Sequence, residues 1–138
     1  MSAGCGDVVK DAILNVPGGK WASFSVIMLI VFLLGMFIEW IGIVFIIVPI
    51  LSPVIVALGF DPLWAGMMVC INLQMAFQTP PMAMSVFVCQ GVAPPELGVT
   101  LNDIIKGVIP FIAIVASCLI LFSIFPQIIT WLPNLMMK

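Results

Sequence analysis

Five side chains bring chemistry into an otherwise apolar stretch: Gln74, Gln78, Thr79, Pro80 and Pro81. Pro80 and Pro81 carry no amide proton, so the helix bonds to the carbonyls preceding them are lost. Those carbonyls, the Thr79 hydroxyl and the two amide oxygens form a set of hard oxygen ligands at membrane depth. Such a set suits a small cation such as sodium. A helix restarting after Pro81 would point its positive end at the same spot, which suits an anionic solute group. The competing reading is a plain proline kink healed by neighbouring helices.

Glu39 is the second candidate. It is the only ionisable residue between Lys20 and Asp61, and a centred, unpaired carboxylate there costs several kcal/mol. It reads either as a site residue or as a loop acid at the membrane surface, and its neighbours leave both open.

Other chemistry is poorly supplied. The chain has no histidine and no arginine, which removes the commonest acid–base catalyst and a common metal ligand. Ser23, Ser25, Ser52, Ser85 and Ser117 have no basic residue nearby to activate them. The four cysteines show no C-x-x-C spacing and read as small packing groups. No enzyme activity and no cofactor beyond a coupling Na+ is expected. The cations are Lys10, Lys20, Lys106 and Lys138, and the net charge is −2, which gives no nucleic-acid footprint. Asn72 and Gln74, two apart, do not share a helix face.

The elements that must position these residues follow from composition. The 138 residues are 64% hydrophobic and 7% charged, with a mean hydropathy of +1.36. That is too little polar surface to face water, so the chain is read as an all-α integral membrane protein in a lipid bilayer. Residues 1–20 form a polar, interfacial segment closed by Pro17-Gly18-Gly19, with no secretory signal visible. Trp21–Phe60 would make a helix about 60 Å long, twice the bilayer core, and must turn. The turn is placed between Gly35 and Gly42, giving a hairpin over about 21–58 with Pro49 and Pro53 in its second arm: either two full spans with Glu39 in a tight external loop, or a re-entrant hairpin whose tip stops at mid-membrane. Asp61 and Pro62 start a new helix that runs to about 92 as one discontinuous, Pro-Pro-broken span. In a polar connector over 93–107, Thr100 or Asn102 could cap a brief amphipathic helix with Asp103 near its start. A last span follows over 108–132, with Trp131 as an interfacial anchor and Pro126 bending or ending it.

Two strings, "LLGMFIEWIGIVFIIVPILSPVIVALGFDPLWAG" and "INLQMAFQTPPMAMSVFVCQGVAPPEL", resemble the C-terminal part of the large membrane subunit of tripartite ATP-independent periplasmic (TRAP) transporters, the DctM-like permeases. The resemblance covers about Trp21 to Pro133. It implies one part of an inverted-repeat, elevator-type secondary transporter in a bacterial inner membrane. It also implies a sodium gradient, a periplasmic solute-binding protein, a small membrane subunit and a carboxylate-type solute. Carried onto these residues, it makes Gly35–Glu39 the tip of a re-entrant hairpin and Thr79, Pro80 and Pro81 the unwound centre of the broken helix. The expected ion and substrate site then comprises Gly35, Phe37, Glu39, Gln78, Thr79, Pro80 and Pro81. The chain departs from the family pattern at Glu39, where Asp is usual, and at Ala83, where Gly is usual. It also lacks the family's first half, so alone it would not build the complete site. The alternative is a small helical membrane protein, or truncated fragment, with a structural or assembly role.

Overall fold

The computed structural model describes residues 8, 11–13, 15, 17–80 and 83–136. Pro81, Lys138 and most of the N-terminal segment lie outside the described residues. Within them the protein is helical throughout, with no strand, as the composition predicts.

Helix α1 (Gly19–Phe37) begins after Gly18, whose φ of 130° ends the preceding turn. It buries Ser23, Phe24, Ile27 and Val31 along one stripe while Leu29, Ile30 and Leu33 stay exposed. A helix apolar on all faces belongs in lipid or inside a larger protein. The chain is extended at Ile38 and Glu39, and α2 (Trp40–Ala57) follows. Residues Ile43–Ile47 of α2 widen into a π-helical segment. It lies directly before Pro49, whose ring would clash with the Phe45 carbonyl in a regular α-helix.

Helix α3 (Pro62–Gln78) is the hub, packing against α1, α2 and the helices that follow. Asp61 caps it as expected: its Oδ1 accepts from the N–H groups of Leu63 and Trp64 at 2.8 and 3.4 Å. Gly59, at φ 79°, turns the chain into this cap. Trp64, Ala65, Met68, Val69, Leu73 and Ala76 fall on one face at spacings of three and four and are buried. Asn72 shares that face, and its Nδ2 donates to the Met28 carbonyl of α1 at 2.7 Å.

Helix α4 (Met84–Val92) is followed by a short 3-10 turn at Pro95–Leu97. The last long helix differs from the expected 108–132. Helix α5 runs Leu101–Ile124 because Asp103 Oδ2 accepts from both the N–H and the hydroxyl of Thr100, at 3.0 and 2.6 Å. That interaction starts the helix inside the expected connector. The chain breaks at Phe125–Pro126, and Trp131 falls in a separate helix, α6 (Gln127–Met136). The helices α1, α2 and α5 are each long and apolar enough to cross a membrane, which makes this a multi-pass membrane protein.

Candidate functional site

The α1–α2 turn and the α3–α4 interruption lie at the same end of the helix group. Phe37, Ile38 and Glu39 from the turn line one cavity of about 140 Å³ with Phe77, Ala83 and Met84 from the interruption. A single glycine allows this approach. A Cβ built at Gly35 would lie 2.7 Å from the Ala76 Cβ and 3.3 Å from Leu73 Cδ2, so α1 and α3 touch there almost backbone to backbone.

The interruption is held by local bonds. The Thr79 N–H donates to the Ala76 carbonyl at 3.1 Å, and the Ala83 N–H donates to the Thr79 carbonyl at 3.3 Å. The Ser85 hydroxyl reaches back to the Phe77 carbonyl at 3.4 Å, joining the two half-helices. Ala83 has φ 25° and ψ 55°, a left-handed conformation that costs a residue with a Cβ roughly 1–2 kcal/mol. It is also 3% exposed, so its methyl faces the packed interior rather than solvent.

The expected site residues divide into three groups. Phe37 and Glu39 line the cavity. Gly35 sits one turn below it, against Ala76. Gln78, Thr79 and Pro80 flank the cavity in sequence without lining it, and Pro81 lies outside the described residues. The Thr79 hydroxyl donates to the Met75 carbonyl at 2.8 Å, which leaves its lone pairs available. Gln78 Oε1 is fully buried and meets no hydrogen-bond donor among the described residues. A buried amide oxygen without any partner costs about 1–3 kcal/mol. The Glu39 side chain is exposed, and its backbone carbonyl accepts from the Ile43 N–H at 3.3 Å.

Sequence reasoning missed three residues at this end. Ala83 and Met84 complete the cavity wall, and Ala83 was singled out only for its departure from glycine. Phe77 carried no signal beyond being apolar. A wider groove of about 330 Å³ runs beside the site between α2 and α3, lined by Trp40, Val44, Cys70, Leu73, Gln74 and Phe77. Gln74 therefore faces this groove, whereas Asn72 is used in packing α3 on α1. Among the described residues no group of three His, Cys, Asp or Glu side chains could hold a metal ion, so cation binding here would rest on backbone, hydroxyl and amide oxygens.

The family described as "Tripartite ATP-independent periplasmic transporter, DctM component" matches residues 1–128. The C4-dicarboxylate TRAP transporter large permease protein DctM of Vibrio cholerae is 30% identical over 130 residues, covering 94% of this chain and 28% of that protein. The sialic acid TRAP transporter permease protein SiaT of Haemophilus influenzae is 34% identical over 128 residues, 93% of this chain and 20% of its own length. The 2,3-diketo-L-gulonate TRAP transporter large permease protein YiaN of Escherichia coli is 32% identical over 122 residues, 88% of this chain and 28% of its own length. The chain thus spans less than a third of each of these relatives. On the match over residues 1–128, this chain belongs to the DctM component family of tripartite ATP-independent periplasmic transporters.

Proposed function

We propose that the chain is the C-terminal portion of a sodium-coupled uptake permease for small organic acid-type solutes, working without enzymatic chemistry in a bacterial inner membrane. A small TRAP membrane subunit and a periplasmic solute-binding protein are its partners in this reading. The ion and substrate site lies between the α1–α2 turn and the α3–α4 interruption. The observation that carries the proposal is the shared cavity of Phe37, Ile38 and Glu39 with Phe77, Ala83 and Met84; Gln78, next to Phe77 in the chain, adds a buried amide oxygen that meets no donor among the described residues.

Helix lengths support a site at membrane depth. The Trp64 indole donates to the Phe122 carbonyl at 3.0 Å, which pins the start of α3 to the end of α5. From there α3 rises about 21 Å to Gln78, while α5 extends about 32 Å to Leu101, at 1.5 Å per residue. If α5 crosses the bilayer, the interruption falls about two-thirds of the way along it. Unwound backbone at that depth is tolerated only where it is buried in protein or lines a polar cavity.

The roles follow from chemistry. Sodium would be held by carbonyls around Thr79, by the Thr79 hydroxyl oxygen and by Gln78 Oε1. Glu39 supplies the negative charge that makes a cation welcome, and the bound cation in turn makes a solute carboxylate welcome. Without the cation, Glu39 repels an anionic solute, and this gives a physical basis for coupling.

The test uses a full-length permease carrying this segment. Thr79→Val removes an oxygen at nearly constant shape, and Gln78→Leu removes the buried amide. If both oxygens serve sodium, each variant should need about tenfold more sodium for half-maximal uptake, from the loss of about 1–3 kcal/mol per buried polar partner. Membrane insertion should be unaffected. An unchanged sodium requirement in both variants, with Gln78→Leu simply more stable, would leave a proline kink and no ion site.

A further inference from the structure

At the opposite end of α1 and α3 lies a cavity of about 270 Å³ that the transport reading does not use. Its lining includes Lys20, Phe60, Asp61, Trp64, Gln127 and Thr130. We infer that this cavity is a binding site for the headgroup of a zwitterionic phospholipid, one carrying both a phosphate and a primary ammonium.

The two charges of such a headgroup each find a partner. Lys20 stands at the start of α1, whose N-cap residue Gly18 makes no side-chain cap bond. The first-turn N–H groups and the ammonium together favour a phosphate. Asp61 spends only Oδ1 on capping α3, so Oδ2 is not used by the cap and can receive an ammonium. The walls are aromatic: Phe60 stacks on Trp64 at 5.3 Å, and Trp21 meets Phe60 edge-on at 5.1 Å. A cation already sits on one of these rings, since Lys20 Nζ is 5.4 Å from the Phe60 centroid. Gln127 and Thr130, one turn apart on α6, add neutral polar groups from a third side.

The setting decides which source of this chemistry applies. The cavity lies where α1, α3, α5 and α6 terminate or begin, and two tryptophans, Trp21 and Trp64, line it, the residue type that collects at a membrane–water boundary. Exposed apolar side chains flank it, Trp131 at 66% and Ile128 at 53%, so acyl chains could run along α6 while the headgroup enters the cavity.

The experiment uses the full-length permease, stripped of lipid in detergent and then supplied with phosphatidylethanolamine, phosphatidylglycerol or soluble glycerophosphoethanolamine. Native mass spectrometry reads bound lipid. The wild type should retain phosphatidylethanolamine about tenfold better than phosphatidylglycerol, the worth of one charge-assisted contact. Asp61→Asn keeps the cap, because Asn caps as well as Asp, and should abolish that preference. Lys20→Met keeps the aliphatic stem and should weaken retention of both lipids. Equal retention of both lipids by the wild type, or an Asp61→Asn variant that keeps the preference, overturns the inference. Displacement of the lipid by soluble glycerophosphoethanolamine at equal concentration would mean a soluble phosphate-ester site instead, and would equally overturn the lipid assignment.

Discussion

The two ends of the α1–α3 pair are built on opposite terms. At the Trp64 end the main packing contacts are made: Asp61 Oδ1 caps α3, the indole N–H meets the Phe122 carbonyl, and four aromatic rings interlock. At the Thr79 end the chain carries a left-handed alanine, a buried amide oxygen without a donor among the described residues and, across the turn, a π-helical segment. One end is built mainly from regular caps and packing, and the other departs from local rules several times within a few residues. Departures of that kind cluster where binding needs a geometry that folding alone would not choose.

The contrast can be broken at the ordered end first. Trp64→Ala removes a side chain that is 2% exposed together with its bond to α5, and should destabilise the fold by about 3 kcal/mol or more. Thermal unfolding of the full-length permease in detergent measures this, and a loss below about 1 kcal/mol would show that the aromatic end is not what holds α3 to α5. At the other end, Gly35→Ala brings a methyl to 2.7 Å from Ala76 Cβ and should cost about 1–3 kcal/mol by overpacking. Adding Ala76→Gly should recover most of that loss, and failure of the pair to rescue would remove the close approach from the account. The smallest effect belongs to Ala83→Gly. Relief of the left-handed strain slightly outweighs the added freedom of the unfolded chain, so a gain of about 0.5 kcal/mol is expected. A clear loss in the same unfolding measurement would mean that packing of the methyl outweighs the backbone strain.

Local signals in the sequence carried much of this architecture. Asp61-Pro62 and Gly59 act within a single turn, so the start of α3 could be placed to the residue. The apolar length from Trp21 to Phe60 demanded a turn, and the helices do part at Ile38–Glu39. The boundaries of α5 were harder to read. Thr100 and Asp103 mark a helix start as expected, but the polar residues through Lys106 read as a separate short helix, whereas the helix runs on unbroken into the apolar span. Pro126 marks the break at Phe125–Pro126, but hydropathy stays apolar across it, so nothing in composition shows that Trp131 falls in a separate helix, α6.

Other features depend on residues far apart in the chain, and no local pattern announces them. The indole bond from Trp64 to Phe122 joins positions 58 apart, and the role of Asn72 follows only from the carbonyl that meets it on α1. In the candidate site, the sequence pointed to Glu39 and Thr79 by their polarity. Phe77 and Met84, two apolar cavity walls, could be found only from the packing.

The Asn72–Met28 contact bears on how the chain enters a bilayer. An amide on its own in hydrocarbon resists leaving water, and α3 carries Asn72 near its middle. During synthesis α1 emerges first, and its Met28 carbonyl has a second lone pair left after its own helix bond. When α3 follows, its amide meets an acceptor that has already been inserted, 44 positions earlier in the chain. The N-to-C order of the two helices thus puts the acceptor in the membrane before the donor that needs it.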